Sequence, residues 1–331
     1  MAPKETVFIT GANGQDARLL VESLSNQDIL FICTSKNTAK SKSLYAGVKA
    51  SILHEYLDIT DTDSFAGLVQ KYRPNRVFNF AGLSSVANSF SEPHDYQEIN
   101  GFSVERILVK LHTKNLLGQI KFYQASSSEI FDPFETSIRS EVSTKKPQSP
   151  YGASKLYAFE VCQDFRIKKG YFVCSGILFG HESEYRSQEF LFGKVMNSFA
   201  RIKIGLQKNI TIGRLDTKRD WGYARDYVTA MNLMTTCATP EDYVVSTGEL
   251  HSVREVIDVA YHACGISTAL SEILVISDDL LREKDYHNLY GTSAKINRAL
   301  GWETHLSFEK MVQRIQSIVL KNHLEIGTIV E

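Results

Sequence analysis

The chain has 331 residues, 43% of them hydrophobic, enough to bury a large core and more than one ordinary domain requires. Its formal charge of -1, with acidic and basic residues intermixed, gives no overall basic field for nucleic acid or an anionic membrane surface. No apolar run approaches the ~20 residues of a membrane span, and none near the start is long enough for a secretion signal, so a cytoplasmic protein with neither nucleic acid nor membrane as partner is expected. Five scattered cysteines (Cys33, Cys162, Cys174, Cys237, Cys264) without a Cys-x-x-Cys pair read as buried free thiols, not as a disulfide framework or a metal site.

Short continuous apolar runs recur at 7–9, 29–32, 77–80, 120–123 and 172–178. Stretches of helical spacing separate them, at 15–25, 63–72, 100–113 and 154–168. This alternation predicts an α/β protein with a doubly wound parallel (Rossmann) sheet covered on both faces. Beyond residue 178 the chain turns polar and Gly-containing, then resumes a strand at 244–246 and a helix at 308–320. A smaller α/β lobe made of separate segments, sharing one rigid interface with the sheet, is the expectation.

The first run leads into Gly11-Ala12-Asn13-Gly14-Gln15-Asp16-Ala17, a Gly-x-x-Gly-x-x-Ala turn that opens a helix. Glycines there let the backbone approach a pyrophosphate while the helix N-terminus supplies N–H donors, which makes Gly11, Asn13, Gly14, Gln15 and Asp16 candidate dinucleotide contacts. After the second run, where an acid would bind the ribose 2′-hydroxyl of NAD, the chain reads Thr34-Ser35-Lys36-Asn37. Hydroxyls and Lys36 suit a 2′-phosphate and favour NADP, a solvated surface lysine being the bland alternative. Asp58, Ile59 and Ala81 fall where the rest of the dinucleotide would pass.

Tyr151 and Lys155 stand one helical turn apart, a spacing expected to lower the phenol pKa from its usual value near ~10 and let it take a proton. Just upstream a strand ends in Ser126-Ser127-Ser128-Glu129, offering a hydroxyl and a carboxylate. His54, His94 and His287 show no ligand-like spacing.

Together these motifs resemble the extended short-chain dehydrogenase/reductase superfamily. The segments 122–129, 149–158, 176–179, 181–183, 218–222 and 246–255 narrow the resemblance to the GDP-mannose 4,6-dehydratase family. The resemblance implies a redox-neutral hydro-lyase that uses NADP to oxidise C4 of a nucleotide-linked hexose, loses water across C5–C6 and returns the hydride to C6. It implies that Tyr151 deprotonates the C4 hydroxyl, supported by Lys155, and that Ser127 hydrogen-bonds the C4 oxygen. Glu129 would take the C5 proton and protonate the leaving 6-hydroxyl. Tyr151 and Lys155 would also touch the nicotinamide ribose, while Ser85, Ser127, Lys194, Arg219 and Arg282 would hold the substrate, the arginines at its diphosphate.

On this reading residues 1–179 and 210–250 bind NADP, and 180–209 with 251–331 bind the nucleotide sugar. Several positions depart from the family: Ser127 replaces threonine, Phe131 tyrosine, Gly180 asparagine, and Glu184-Tyr185-Arg186 replaces Pro-Arg-Arg. The stretch between Thr34 and Asp58, which the family uses to reach a neighbouring subunit's cofactor, is shortened. A homodimer through the 100–113 and 154–168 helices is therefore expected rather than a tetramer. A 4-keto-sugar reductase or epimerase and a non-catalytic NADP-binding sensor are the competing readings. Glu129 speaks against the first, intact Tyr151 and Lys155 against the second.

Overall fold

The computed structural model describes residues 3–277 and 289–327; Arg282 and His287 lie outside the described residues. The first half supplies β1 (Glu5–Thr10), β2 (Ile29–Ser35), β3 (Ser51–Tyr56), β4 (Arg76–Asn79), β5 (Lys121–Ala125) and β6 (Val173–Leu178). Helices α1 (Gln15–Leu24), α2 (Thr38–Leu44), α3 (Thr62–Tyr72), α4 (Pro93–Tyr96), α5 (Ser103–Thr113) and α6 (Pro150–Ile167) connect them. A π-helical segment, Gln97–Phe102, joins α4 to α5. The second half adds β7 (Gly180–Glu182), α7 (Leu191–Lys203), β8 (Ile210–Ile212), β9 (Lys218–Arg219), β10 (Trp221–Tyr223), α8 (Ala224–Thr236) and β11 (Tyr243–Val245). It closes with β12 (His251–Ser252), α9 (Val253–Cys264), α10 (Leu270–Ile273), β13 (Leu274–Ile276), α11 (Ala294–Leu300) and α12 (Phe308–Gly327).

Seven parallel strands form the main sheet in the order β11-β6-β5-β4-β1-β2-β3. The order reverses between β1 and β4, so the carboxyl ends of those two strands open the crevice where such sheets bind ligands. Alternate residues go to opposite faces: Val7, Ile9, Phe31 and Phe78 pack on α1 and α8, while Phe8, Ile32, Val77 and Phe122 pack on α3, α5 and α6. Covering both faces is what makes these strands continuous apolar runs, each large buried side chain contributing roughly 1.5–3 kcal/mol.

The second lobe has its own core, in which Phe192, Met196 and Phe199 of α7 meet Val256 and Ala260 of α9 and Met311 and Ile315 of α12. Ile210, Ile212, Trp221 and Tyr223 join that core, whereas Ile296 and Trp302 join the sheet's. Packing thus divides the chain differently from the expected boundaries at 210–250 and 251–331. The reason is that β8–β13 and β10–β7 are three-residue pairings with no sequence period to detect.

β3 and α2 also escape the sequence pattern. Edge strand β3 exposes Leu53 and Tyr56, so it presents no continuous apolar run. α2 occupies the shortened stretch and folds back on its own chain, the Tyr45 hydroxyl donating to the Ala12 carbonyl at 2.9 Å. No described helix is long and apolar enough to cross a membrane. All five cysteines are free and four of them are buried.

Candidate active site

The turn after β1 is shaped for a close approach of backbones. Gly11 has φ +67°, and a Cβ on it would lie 2.8 Å from the Phe80 carbonyl carbon and the Ala81 nitrogen. Thr10 Oγ1 accepts from the Ala81 N–H at 3.0 Å and donates to Asn79 Oδ1 at 2.6 Å, locking the ends of β1 and β4 together. α1 starts at Gly14 with no side-chain cap, which leaves its first-turn amides to an external acceptor. Two buried oxygens at this edge, Asn13 Oδ1 and Ser35 Oγ, have no hydrogen-bond partner. Uncapped amides, a glycine-enforced approach and unpartnered polar atoms along the ends of β1 and β2 fit a nicotinamide dinucleotide.

The other expected contacts distribute unevenly. Lys36 Nζ pairs with Asp58 Oδ2 at 2.9 Å, and Asp58 also accepts from Thr60 N and Oγ1. The Ile59 side chain lies in the core, leaving only its backbone to face a ligand. Gln15 and Asp16 bond to the β7 segment: Gln15 donates to the His181 carbonyl at 3.2 Å, and Asp16 pairs with His181 at 3.1 Å.

Tyr151, Lys155, Ser127 and Glu129 converge. α6 begins on a Ser149 cap, whose Oγ accepts from Gly152 N at 3.0 Å, with Pro150 in the first turn. That places Tyr151 against the 3-10 turn Ser128–Ile130, where Ser127 Oγ accepts from Glu129 N at 3.2 Å. Gly152 is obligatory for this docking, because a Cβ would be driven into the Glu129 carbonyl oxygen. Ser127 lies close enough to Tyr151 to favour its phenolate, and Tyr96 meets the phenol ring edge-on at 6.2 Å.

The expected lowering of the Tyr151 pKa is corrected by the structure. Burial pushes the phenol up to about 12, and the Glu129 charge adds to that, while Ser127 and Arg186 work against it. Lys155 Nζ donates to the Ala125 carbonyl at 3.1 Å and sits 5.8 Å from the phenol ring centre. Burial holds the Lys155 ammonium down to about 8, offset in part by the Asp16 charge.

Glu129 and Arg219 line the same shallow cleft, with Phe131, Pro133, Gln148 and Leu289 completing its wall. Ser85 lies beside Tyr96, one ring away from Tyr151. Lys194 is half-buried in the first turn of α7. The structure therefore brings Ser85, Ser127, Glu129, Tyr151, Lys155 and Arg219 to one end of the sheet.

Four supporting residues were not singled out from the sequence. Buried Asp220 accepts from Thr247 N, Thr247 Oγ1, Gly248 N and Gly291 N, fixing the segments beside Arg219; burial still keeps its carboxyl above the usual range. Asn100, in the π-helical segment, accepts from Leu83 N at 2.8 Å and donates to Leu83 O at 2.9 Å, tying the loop after β4 to α5. Fully buried Arg139 donates to the Ser137, Asp132 and Glu135 carbonyls, and its N–H donates to Tyr290 O at 2.9 Å. It so joins the Phe131–Pro133 wall of the cleft to the Leu289 wall. Partly buried His181 is the fourth. Each is a polar residue inside an otherwise apolar or loop context, the one signal the sequence carries for it.

A family model described as GDP-mannose 4,6 dehydratase matches residues 8–315. GDP-mannose 4,6 dehydratase 2 of Arabidopsis thaliana is 35% identical over 322 residues, covering 94% of this chain and 86% of that protein. GDP-mannose 4,6 dehydratase of Cricetulus griseus is 33% identical over 338 residues, covering 95% and 91%. Among solved structures, RMD from Pseudomonas aeruginosa complexed with NADPH superposes with a TM-score of 0.77 at 22% identity, over 96% of this chain and all of that one.

Proposed function

The chain belongs to the GDP-mannose 4,6-dehydratase family, one of hydro-lyases acting on sugar nucleotides, and from that membership we propose that it dehydrates GDP-mannose or a GDP-linked manno-configured hexose to the 4-keto-6-deoxy sugar, with bound NADP. The cofactor supplies a hydride acceptor and returns the same hydride. Gly11, Asn13, Gly14 and the α1 amides would hold its pyrophosphate; Ser35 and Lys36 would hold the 2′-phosphate.

Tyr151 takes the proton of the C4 hydroxyl, with Ser127 holding that oxygen and the Lys155 ammonium stabilising the phenolate that the buried site disfavours. The ketone acidifies C5–H. Glu129 removes that proton and delivers it to O6, which departs as water; once the hydride is back on C6, C5 takes up the proton that Tyr151 removed from the C4 hydroxyl, which restores both residues. Arg219 and Lys194 would bind the diphosphate, Arg219 by charge-assisted hydrogen bonds. We further infer a cytoplasmic homodimer; for the dimer, α5, α6 and the π-helical segment before α5 offer Val109, Ile167 and Phe102 to solvent, and α2 folds on its own chain.

What carries the reading is a second acid/base, Glu129, beside Tyr151 in the cleft that Arg219 closes. A reductase has no use for that carboxylate. Incubation with GDP-mannose and a panel of other nucleotide sugars, followed by mass spectrometry, should show loss of one water with no net NADPH consumption. A reduced sugar formed with stoichiometric NADPH loss would replace this reading with the reductase.

A further inference from the structure

His181 lies partly buried where the cofactor turn meets the second lobe. Its Nδ1 is 2.8 Å from the Phe179 carbonyl oxygen, and its Nε2 is 3.1 Å and 3.2 Å from the two carboxylate oxygens of Asp16. Both neighbours are acceptors, and a neutral imidazole has one N–H to give. Both bonds form only with the imidazolium, whose face rests on the Tyr227 ring, 4.7 Å between centroids at 15°.

Further bonds join the same two pieces of chain. Gln15 Nε2 donates to Asp16 Oδ1 and to the His181 carbonyl, and Ser183 Oγ donates to Gln15 Oε1 at 2.7 Å. The first turn of α1, which opens the glycine turn, is thereby lashed to β7. β7 pairs with β10, which follows directly on Arg219 and Asp220.

We propose that Asp16 and His181 are positioning residues: their partly buried aspartate–imidazolium pair holds the pyrophosphate turn in register with the strand pair beside Arg219, and the dinucleotide binds tightly only while His181 keeps both N–H groups. This inference rests on the dinucleotide reading given above. The charged groups facing His181 are Asp16 from α1, with Glu182 and Arg186 from β7 and the loop after it; Tyr227 of α8 covers its face. Burial opposes the imidazolium, but the Asp16 charge and hydrogen bond outweigh it, so the His181 pKa stands above 6.5. With the folded pKa raised, the pair is complete below the unfolded value and is lost as pH rises through the folded one. Asp16, shifted downward, stays ionised throughout that range.

The test has two arms. In ¹⁵N-histidine-labelled protein without ligand, one imidazole should keep both ring nitrogens protonated above pH 7, and that signature should vanish in His181→Gln and titrate at lower pH in Asp16→Asn. By calorimetry, NADP⁺ affinity should fall as that imidazole deprotonates; each variant should weaken it about tenfold at pH 6.5 and remove that limb of the pH profile. Adenosine 2′,5′-bisphosphate, which lacks the pyrophosphate, should bind wild type and variants alike. Asp16→Asn preserves the shape of the turn and serves alone where His181→Gln does not fold. An imidazole titrating at or below 6.5, or variants with the wild-type pH profile, would overturn this inference alone. Wild type that binds no dinucleotide at any pH would overturn the functional reading and this inference with it.

Discussion

At the sheet edge the groups that shape the site are backbone atoms and short side chains carried on strands buried on both faces, such as Gly11 after Val7-Phe8-Ile9 and Ser127 after β5. Across the cleft, Arg219 rides on a two-residue strand, and the loop after β7 is held by ions: Glu182 to Arg186 at 3.2 Å, Glu184 to Arg225 at 2.5 Å, and Arg225 to Glu22 at 3.1 Å. The first region is fixed by close packing, which tolerates little change. The second is fixed by pairs and single hydrogen bonds that other residues can replace. On the proposed function, reaction type would therefore reside in the packed region and substrate choice in the paired one, which is also where the departures from the family pattern, Gly180 and 184–186, fall.

The sharpest way to break this division is to alter the packed side. Glu129→Gln keeps shape and hydrogen bonding but cannot accept a proton, so dehydration should fall by ~10²–10⁴-fold while bound NADPH still accumulates with a true substrate. Tyr151→Phe should abolish that accumulation as well; absorbance of enzyme-bound NADPH separates the two failures. The pH profile adds a constraint. Lys155, held down to about 8 by burial, loses its charge as pH rises through that value, so the first oxidation should decline on the alkaline side of about 8. A rate flat to pH 10 would remove Lys155 from the role.

Arg219→Ala probes the paired side and should do less. It should raise KM for the nucleotide sugar by about tenfold or more, with NADP affinity unchanged, since Arg219 lines the cleft that also holds Glu129. Equal losses in NADP and substrate binding would show that the two regions are not separable.

The same division explains what the sequence reveals. β1, β2, β4, β5 and β6 are readable because burial on both faces turns each into an apolar run, and Tyr151, Lys155 and Glu129 are readable because they sit at fixed offsets on those elements. The Rossmann sheet and the family resemblance follow from them and are borne out. β7, β9, β10 and β12 are two or three residues long, too short for any period, so the segments that join the second lobe's core at 210–223 leave no pattern in the sequence. Asp220 and His181 act through bonds to residues far away in sequence, Gly291 and Asp16, which no local pattern encodes. The Tyr151 pKa was misjudged for a related reason. Spacing reveals the lysine one turn away, but burial, which dominates, is a property of the fold.

The smallest effect expected is at Lys36, and it bears on which dinucleotide the packed edge selects. Lys36 is largely exposed and its Nζ is engaged by Asp58 at 2.9 Å, so gaining a 2′-phosphate contact means giving up, or sharing, an existing ion pair. A solvent-exposed pair is worth little, about 0–1 kcal/mol, and a hydrogen bond to a phosphate rather more, about 1.5–3 kcal/mol. The net preference that Lys36 confers is the difference, so Lys36→Ala should weaken NADP⁺ by about tenfold and leave NAD⁺ nearly unchanged in parallel calorimetric titrations. Asp58→Asn removes the competitor and should move the other way for NADP⁺, provided Thr60 N and Oγ1 keep their bonds to the residue-58 side chain. Ser35, whose buried hydroxyl has no partner, supplies the remaining discrimination, so Ser35→Ala in the Lys36→Ala background should bring the two affinities together. If Lys36→Ala leaves the NADP⁺-to-NAD⁺ ratio untouched, the lysine is only a surface ion-pair partner of Asp58 and the cofactor preference has to come from elsewhere on the edge.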